Sequence, residues 1–135
     1  MTEHLHPLSV IGIHQREQDP PLLVLQDERG RPLEMTIGLC EALSIEMALN
    51  GAAALRPLTH DLLLSLTEHL ETPVERVVID DYSKQTYYAR FILTTPDGPV
   101  SLDCRPSDGI AVALRAHVPI EATDAVMLGE ELDSE

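Results

Sequence analysis

Apolar residues recur at every second position, then at helical spacing, and this switch happens twice along the chain, which leaves few folds open. Residues 8–13, 22–25 and 32–37 read as three strands, the last two separated by the turn Asp27-Glu28-Arg29-Gly30. Gly38 ends the third strand. Residues 39–50 then read as a helix stopped by Gly51, and residues 59–71 as a second helix closed by Pro73. The pattern restarts with a strand at 74–79, a polar turn at 80–85 and a long strand at 86–95. The turn Pro96-Asp97-Gly98 leads into an alternation of Val100, Leu102 and Cys104 with Ser101 and Asp103. A third helix at 107–116 and a short fourth at 124–128 complete the series.

The two halves therefore share an order of three strands and two helices. Ile45-Glu46-Met47-Ala48-Leu49 resembles Ile110-Ala111-Val112-Ala113-Leu114, and Pro57-Leu58 and Pro119-Ile120 each follow such a helix. The expectation is an α+β fold: two β-β-β-α-α repeats in one strongly curved, barrel-like mixed sheet with helices packed on it. No linker interrupts the 135 residues, so one domain is expected over 1–135. Its core would span about 8–128, with an acidic, frayed tail at 129–135.

Aromatic residues are 3% of the chain and Trp is absent, so the core must be aliphatic. The helical spacing predicts inward faces of Ala42, Ile45, Ala48 and Leu49, of Leu62, Leu63, Leu66 and Leu70, and of Ile110, Ala113 and Leu114. Ser65, Glu68 and His69 would lie outside. Cys40 and Cys104 form no CxxC pair and read as buried thiols in a reducing compartment. The N-terminal residues lack a basic start and an apolar stretch, and no run approaches ~18 apolar residues. A cytoplasmic chain without a membrane partner is expected. His4 and His6 fall in what reads as a mobile tail.

A net charge of −14 repels nucleic acid and anionic membranes at long range. Any phosphate chemistry must therefore come from a local arrangement. Two segments offer one: Arg56-Pro57-Leu58-Thr59-His60-Asp61-Leu62 and Asp103-Cys104-Arg105-Pro106-Ser107-Asp108-Gly109. Each places Arg-Pro, a hydroxyl and an Asp at a helix entrance. In the structural reading Thr59 and Ser107 are N-caps, and Asp61 and Asp108 complement the helix dipoles. In the functional reading a phosphate sits between the two entrances, held by Arg56, Thr59, Arg105 and Ser107. Glu41, Asp61, Asp103 and Asp108 would hold a divalent ion, magnesium or manganese, and His60 would move a proton. No glycine-rich phosphate loop, nucleophile elbow, HExxH motif or aromatic stacking platform accompanies them.

Gly38, Glu41-Ala42, Gly51 and the Arg56–Leu62 string, followed by Asp103, Arg105-Pro106-Ser107-Asp108, Ile110–Leu114 and Pro119-Ile120, are similar to the bifunctional nuclease family. The resemblance covers residues 8–128. It implies a compact α+β fold with two strand-rich repeats, dimers or higher homo-oligomers, and cleavage of both DNA and RNA. Stand-alone members are typical of bacteria. His60, Asp61, Asp108 and Glu41 become catalytic candidates by matching the motifs, and Asp103 and Asp108 become metal-ligand candidates. Gly109 stands where Ala is usual, which is expected to weaken the third helix. Two alternatives to a nuclease remain open: a non-catalytic homo-oligomeric binding module, or a site for a small anionic ligand such as a nucleotide or phosphate metabolite.

Overall fold

The computed structural model describes residues 4–129. Its elements are β1 (Leu5–His14), β2 (Leu22–Asp27), β3 (Pro32–Thr36), α1 (Leu39–Asn50), α2 (Thr59–His69), β4 (Val74–Ser83), β5 (Thr86–Thr95), β6 (Gly98–Cys104), α3 (Pro106–Ala116), β7 (Ile120–Thr123) and α4 (Asp124–Met127). Apart from Gly129, the expected acidic tail lies outside the described residues.

The strands form one seven-stranded mixed sheet in the order β3-β2-β1-β7-β4-β5-β6. Two antiparallel meanders, β1-β2-β3 and β4-β5-β6, flank the short β7. β7 runs parallel to β4 and antiparallel to β1. β1 joins the two parts: Leu5 to Pro7 pair with β7, and Leu8 to His14 pair with β2. The register of β1 against β2 shifts between Val10 and Gly12, a bulge that leaves Ile11 exposed.

β3 and β6 are free edges, so the expected barrel-like closure is corrected to an open sheet. The second half also departs from the expected repeat, because β7 separates α3 from α4. β4 runs to Ser83, through most of the segment read as a polar turn. The hairpin is closed by Lys84 and Gln85 alone, at φ of 52° and 64°, the twist that a two-residue hairpin requires.

The core is aliphatic, as the composition demands. Leu23, Leu25, Ile45, Val77, Ile79, Ile110 and Val112 are completely buried, and each contributes about 1.5–3 kcal/mol by leaving water. α3 lies deepest and packs against α1, α2, β4 and β5. Its small residues Gly109, Ala111 and Ala113 are all buried and permit that close approach. Among the described residues no helix is long and apolar enough to cross a membrane.

Four further expectations are corrected. The leucine stripe of α2 faces outward: Leu62, Leu66 and Leu70 are 64%, 53% and 64% exposed. The buried side of α2 carries His60 and Thr67 instead, with Leu64 against the core. His6 is no tail residue but a buried member of β1. Cys40 is exposed, whereas Cys104 is half-buried and its thiol is pushed up to about 11, chiefly by burial. Thr59 and Ser107 do not cap their helices, because the N-cap positions are Leu58 and Arg105.

Candidate functional site

The chain leaves the edge strand β6 at Cys104 and turns into α3 through Arg105 and Pro106. Proline at the first helical position has no N–H to leave unsatisfied, which fixes the entrance sharply. Asp108 then projects from the first turn. α2 starts at Leu58, whose N–H donates to Asp61 Oδ2 at 2.9 Å in place of a side-chain cap from Thr59. His60 follows on the buried side. The two entrances meet here: His60 Nε2 lies 2.8 Å from Asp108 Oδ1.

A chain of polar contacts grows from that pair. Arg105 Nε donates to Asp108 Oδ2 at 3.0 Å, and Arg105 Nη2 lies 2.9 Å from Glu41 Oε2. Behind His60, Nδ1 is 2.6 Å from Ser44 Oγ. Glu41, Arg105, Asp108, His60 and Ser44 therefore form one line. A carboxylate only accepts, so the proton on Nε2 faces Asp108, and Nδ1 exchanges with the serine hydroxyl. Burial pushes the Asp108 carboxyl up, but the bonds from His60 and Arg105 outweigh it and hold Asp108 below the usual carboxylate range. The Arg105 guanidinium is stabilised in return, first by its bond to Asp108.

Two cavities adjoin this line, and Glu41 and Arg105 border both. The larger, of about 590 Å³, is lined by Ile37, Tyr82, Tyr87 and Ser107 among others. The smaller, of about 350 Å³, is lined by Ser44, Thr59, His60 and Asp108 together with Leu43 and Leu58. Arg105 remains 68% exposed, and its Nη1 makes no bond among the described residues.

The remaining candidates sit elsewhere. Asp61 lines neither cavity and binds Arg115 Nε at 2.6 Å, while Arg115 also donates to the carbonyls of Ser44 and Ala111. The Leu58 N–H first, against burial and with Arg115, holds the Asp61 carboxyl low. Arg56 is exposed and outside both cavity walls. Asp103 lies in a separate depression beside Asp80, Asp81, Tyr88 and Arg90. Ser107 is buried but borders the larger cavity. Ser44 and Arg115 had not been singled out. A serine on the same turn as the buried Ala42 and Ile45 was the available sign for Ser44.

A divalent cation would need free carboxylate oxygens at this point. Glu41 Oε2 is held by Arg105, and both Asp108 oxygens are held by His60 and Arg105. Asp103 is not beside them. Of these oxygens only Glu41 Oε1 makes no bond among the described residues, so the donor set as arranged does not fit a cation.

The fold and cleft define a class: an α+β protein whose paired helix entrances present an arginine and a carboxylate-bound histidine to one groove. The chain belongs to the bifunctional nuclease family, since the family model described as "Bifunctional nuclease domain" matches residues 23–135. It is 38% identical over 120 residues to an uncharacterized protein of Mycobacterium tuberculosis, covering 87% of this chain and 71% of that one. It is 33% identical over 104 residues to bifunctional nuclease 1 of Oryza sativa subsp. japonica, covering 73% of this chain and 31% of the rice protein. With bifunctional nuclease 1 of Arabidopsis thaliana it shares 28% identity over 116 residues, 82% of this chain and 36% of that protein. The chain thus spans about a third of either plant relative.

Proposed function

We propose that this protein hydrolyses phosphodiester bonds in DNA and RNA without sequence preference, using the groove bordered by Glu41, His60, Arg105 and Asp108. The observation that carries the reading is Asp108, which lines the smaller cavity and holds a histidine and an exposed arginine on its two oxygens. Family membership supplies the substrate class.

Arg105 is the phosphate anchor. Its Nε and Nη2 are fixed by carboxylates, so the fork is already oriented and Nη1 points to a ligand without further ordering. That one oriented guanidinium offers local attraction on a surface that is otherwise repulsive. His60 is the proton-transfer group. Asp108 holds its Nε2–H and so sets the tautomer, leaving Nδ1 to pass a proton through Ser44 Oγ to the smaller cavity. Glu41 keeps Arg105 over the groove.

The test is cleavage of single- and double-stranded DNA and RNA, with magnesium, with manganese and with chelator. Wild type is expected to cleave, and His60→Ala to lose about 100-fold or more in kcat. Ser44→Ala should fall in the same direction, with circular dichroism unchanged. Arg105→Ala should raise KM more than it lowers kcat. Equal cleavage by wild type and a His60→Ala/Asp108→Asn double variant would mark the activity as a contaminant.

The same reading includes a second copy of the chain. Leu62 and Leu66 on α2, Leu70 at its C-cap, and Leu39 and Leu43 on α1 are all more than half exposed, and a soluble monomer rarely leaves such a stripe uncovered. Light scattering should show a dimer or larger particle. Leu62→Glu/Leu66→Glu should shift it to the monomer mass without unfolding it. A wild-type monomer at all concentrations would end this part of the proposal. If the oligomer forms and no cleavage occurs, the non-catalytic binding module becomes the better description.

A further inference from the structure

A separate cluster lies on the far end of β1 from its bulge. His4, His6 and Glu28 bring one ligand atom each within 4.8 Å of one another, the one such group of three among the described residues. We infer that this cluster is a binding site for a zinc-class divalent cation, with His4, His6 Nδ1 and Glu28 as ligands and Asp124 behind them.

The geometry supports each role. His6 is 1% exposed, so its ring cannot swing away. Its Nε2 donates to Asp124 Oδ1 and its Nδ1 to Glu28, since carboxylates only accept; a cation would displace the Nδ1 proton and leave Nε2–H on Asp124. A carboxylate behind a histidine, fixing its tautomer, is the usual outer support of a metal-bound imidazole. Nδ1 lies 2.8 Å from Glu28 Oε2 and 3.1 Å from Oε1. Two ligands at ordinary zinc bond lengths stand about 3.3 Å apart, so this pair needs only a small spread.

His4 supplies the third position. It follows the two-residue period of the strand, on the same side as His6, and the rings meet edge to face with centroids 4.4 Å apart. Among the described residues His4 makes no hydrogen bond, and its ring contact is the edge-to-face packing on His6. Exposed side chains at His4 and Glu28 leave room to close the remaining distance.

The support is rigid. Glu28 sits in the turn after β2, where Asp27 accepts from the N–H groups of Arg29 and Arg31 and from Arg31 Nε. Two imidazoles with a carboxylate favour zinc, cobalt, nickel or copper over magnesium or calcium. The surplus of acidic residues favours a cation, and the bound ion would clamp β1, the β2–β3 turn and the start of α4 together.

The experiment is calorimetric titration of the untagged, chelator-stripped chain with zinc chloride, repeated with cobalt and read by visible absorption. One ion per chain is expected, with a rise in Tm. His4→Ala and Glu28→Gln should each weaken binding about ten-fold or more. His69→Ala, an exposed histidine on α2, should bind as wild type. His4 is exposed and Glu28→Gln keeps its shape, so neither variant depends on surviving a core change. Absence of zinc binding in the wild type, or wild-type affinity in His4→Ala or Glu28→Gln, overturns the assignment.

Discussion

Gly109 shows how one residue can be misjudged by propensity. In an isolated helix alanine would be better by up to about 1 kcal/mol. Here a Cβ on Gly109 would stand 2.9 Å from Val77 Cγ1 and 3.1 Å from Cys104 Sγ. Val77 is completely buried and β-branched, so it has little room to yield. Gly109→Ala is therefore expected to destabilise the protein by about 1–3 kcal/mol in urea unfolding. A gain in stability would show that α3 shifts freely over β4. The residues of the Arg-Pro segments were legible by type. Their division of labour was not, because Asp61 and Asp108 hold equivalent places at their helix entrances. Only the packing of α2 on α3 sends Asp108 to His60 and Asp61 to Arg115.

At the scale of the element, α2 depends on Asp61 for its start. The folded carboxyl lies below its unfolded value, so its contribution is complete above the unfolded pKa of about 4 and fades as pH falls through the folded value. Asp61→Asn should lower stability at pH 7 by about 1 kcal/mol, a figure kept small by its partial exposure. The gap from wild type should shrink as pH falls through the folded value, where the native acid itself becomes neutral. A gap independent of pH would assign the effect to shape. The existence of the helices was readable from spacing, but the inward side of α2 was not. A leucine stripe marks an apolar face without saying what covers it, and this one turns away from the core. β7 escaped notice because Ile120–Thr123 is too short to display a period and is defined only by β1 and β4 on either side. Lys84-Gln85 likewise lacks the Asn-Gly or Asp-Gly signature of its turn type.

For the whole molecule, the α+β class followed from the alternation of periods, whereas the closure of the sheet did not. Curvature depends on where neighbouring strands stop pairing, and single residues do not record that. The bulk charge predicted a surface hostile to polyanions, and the proposed chemistry rests on one oriented guanidinium, that of Arg105. The shared strand β1 has its own consequence. Its first residues hold β7 and its later residues hold β2, so the β2–β3 hairpin can peel off without breaking a rung among β4, β5 and β6. Backbone amides of that hairpin should then exchange with deuterium at a lower opening energy than those of β4 and β5. The molecule would breathe like a book opened at its spine, and the leaf that opens carries the β3 wall of the larger cavity, Glu34 to Thr36.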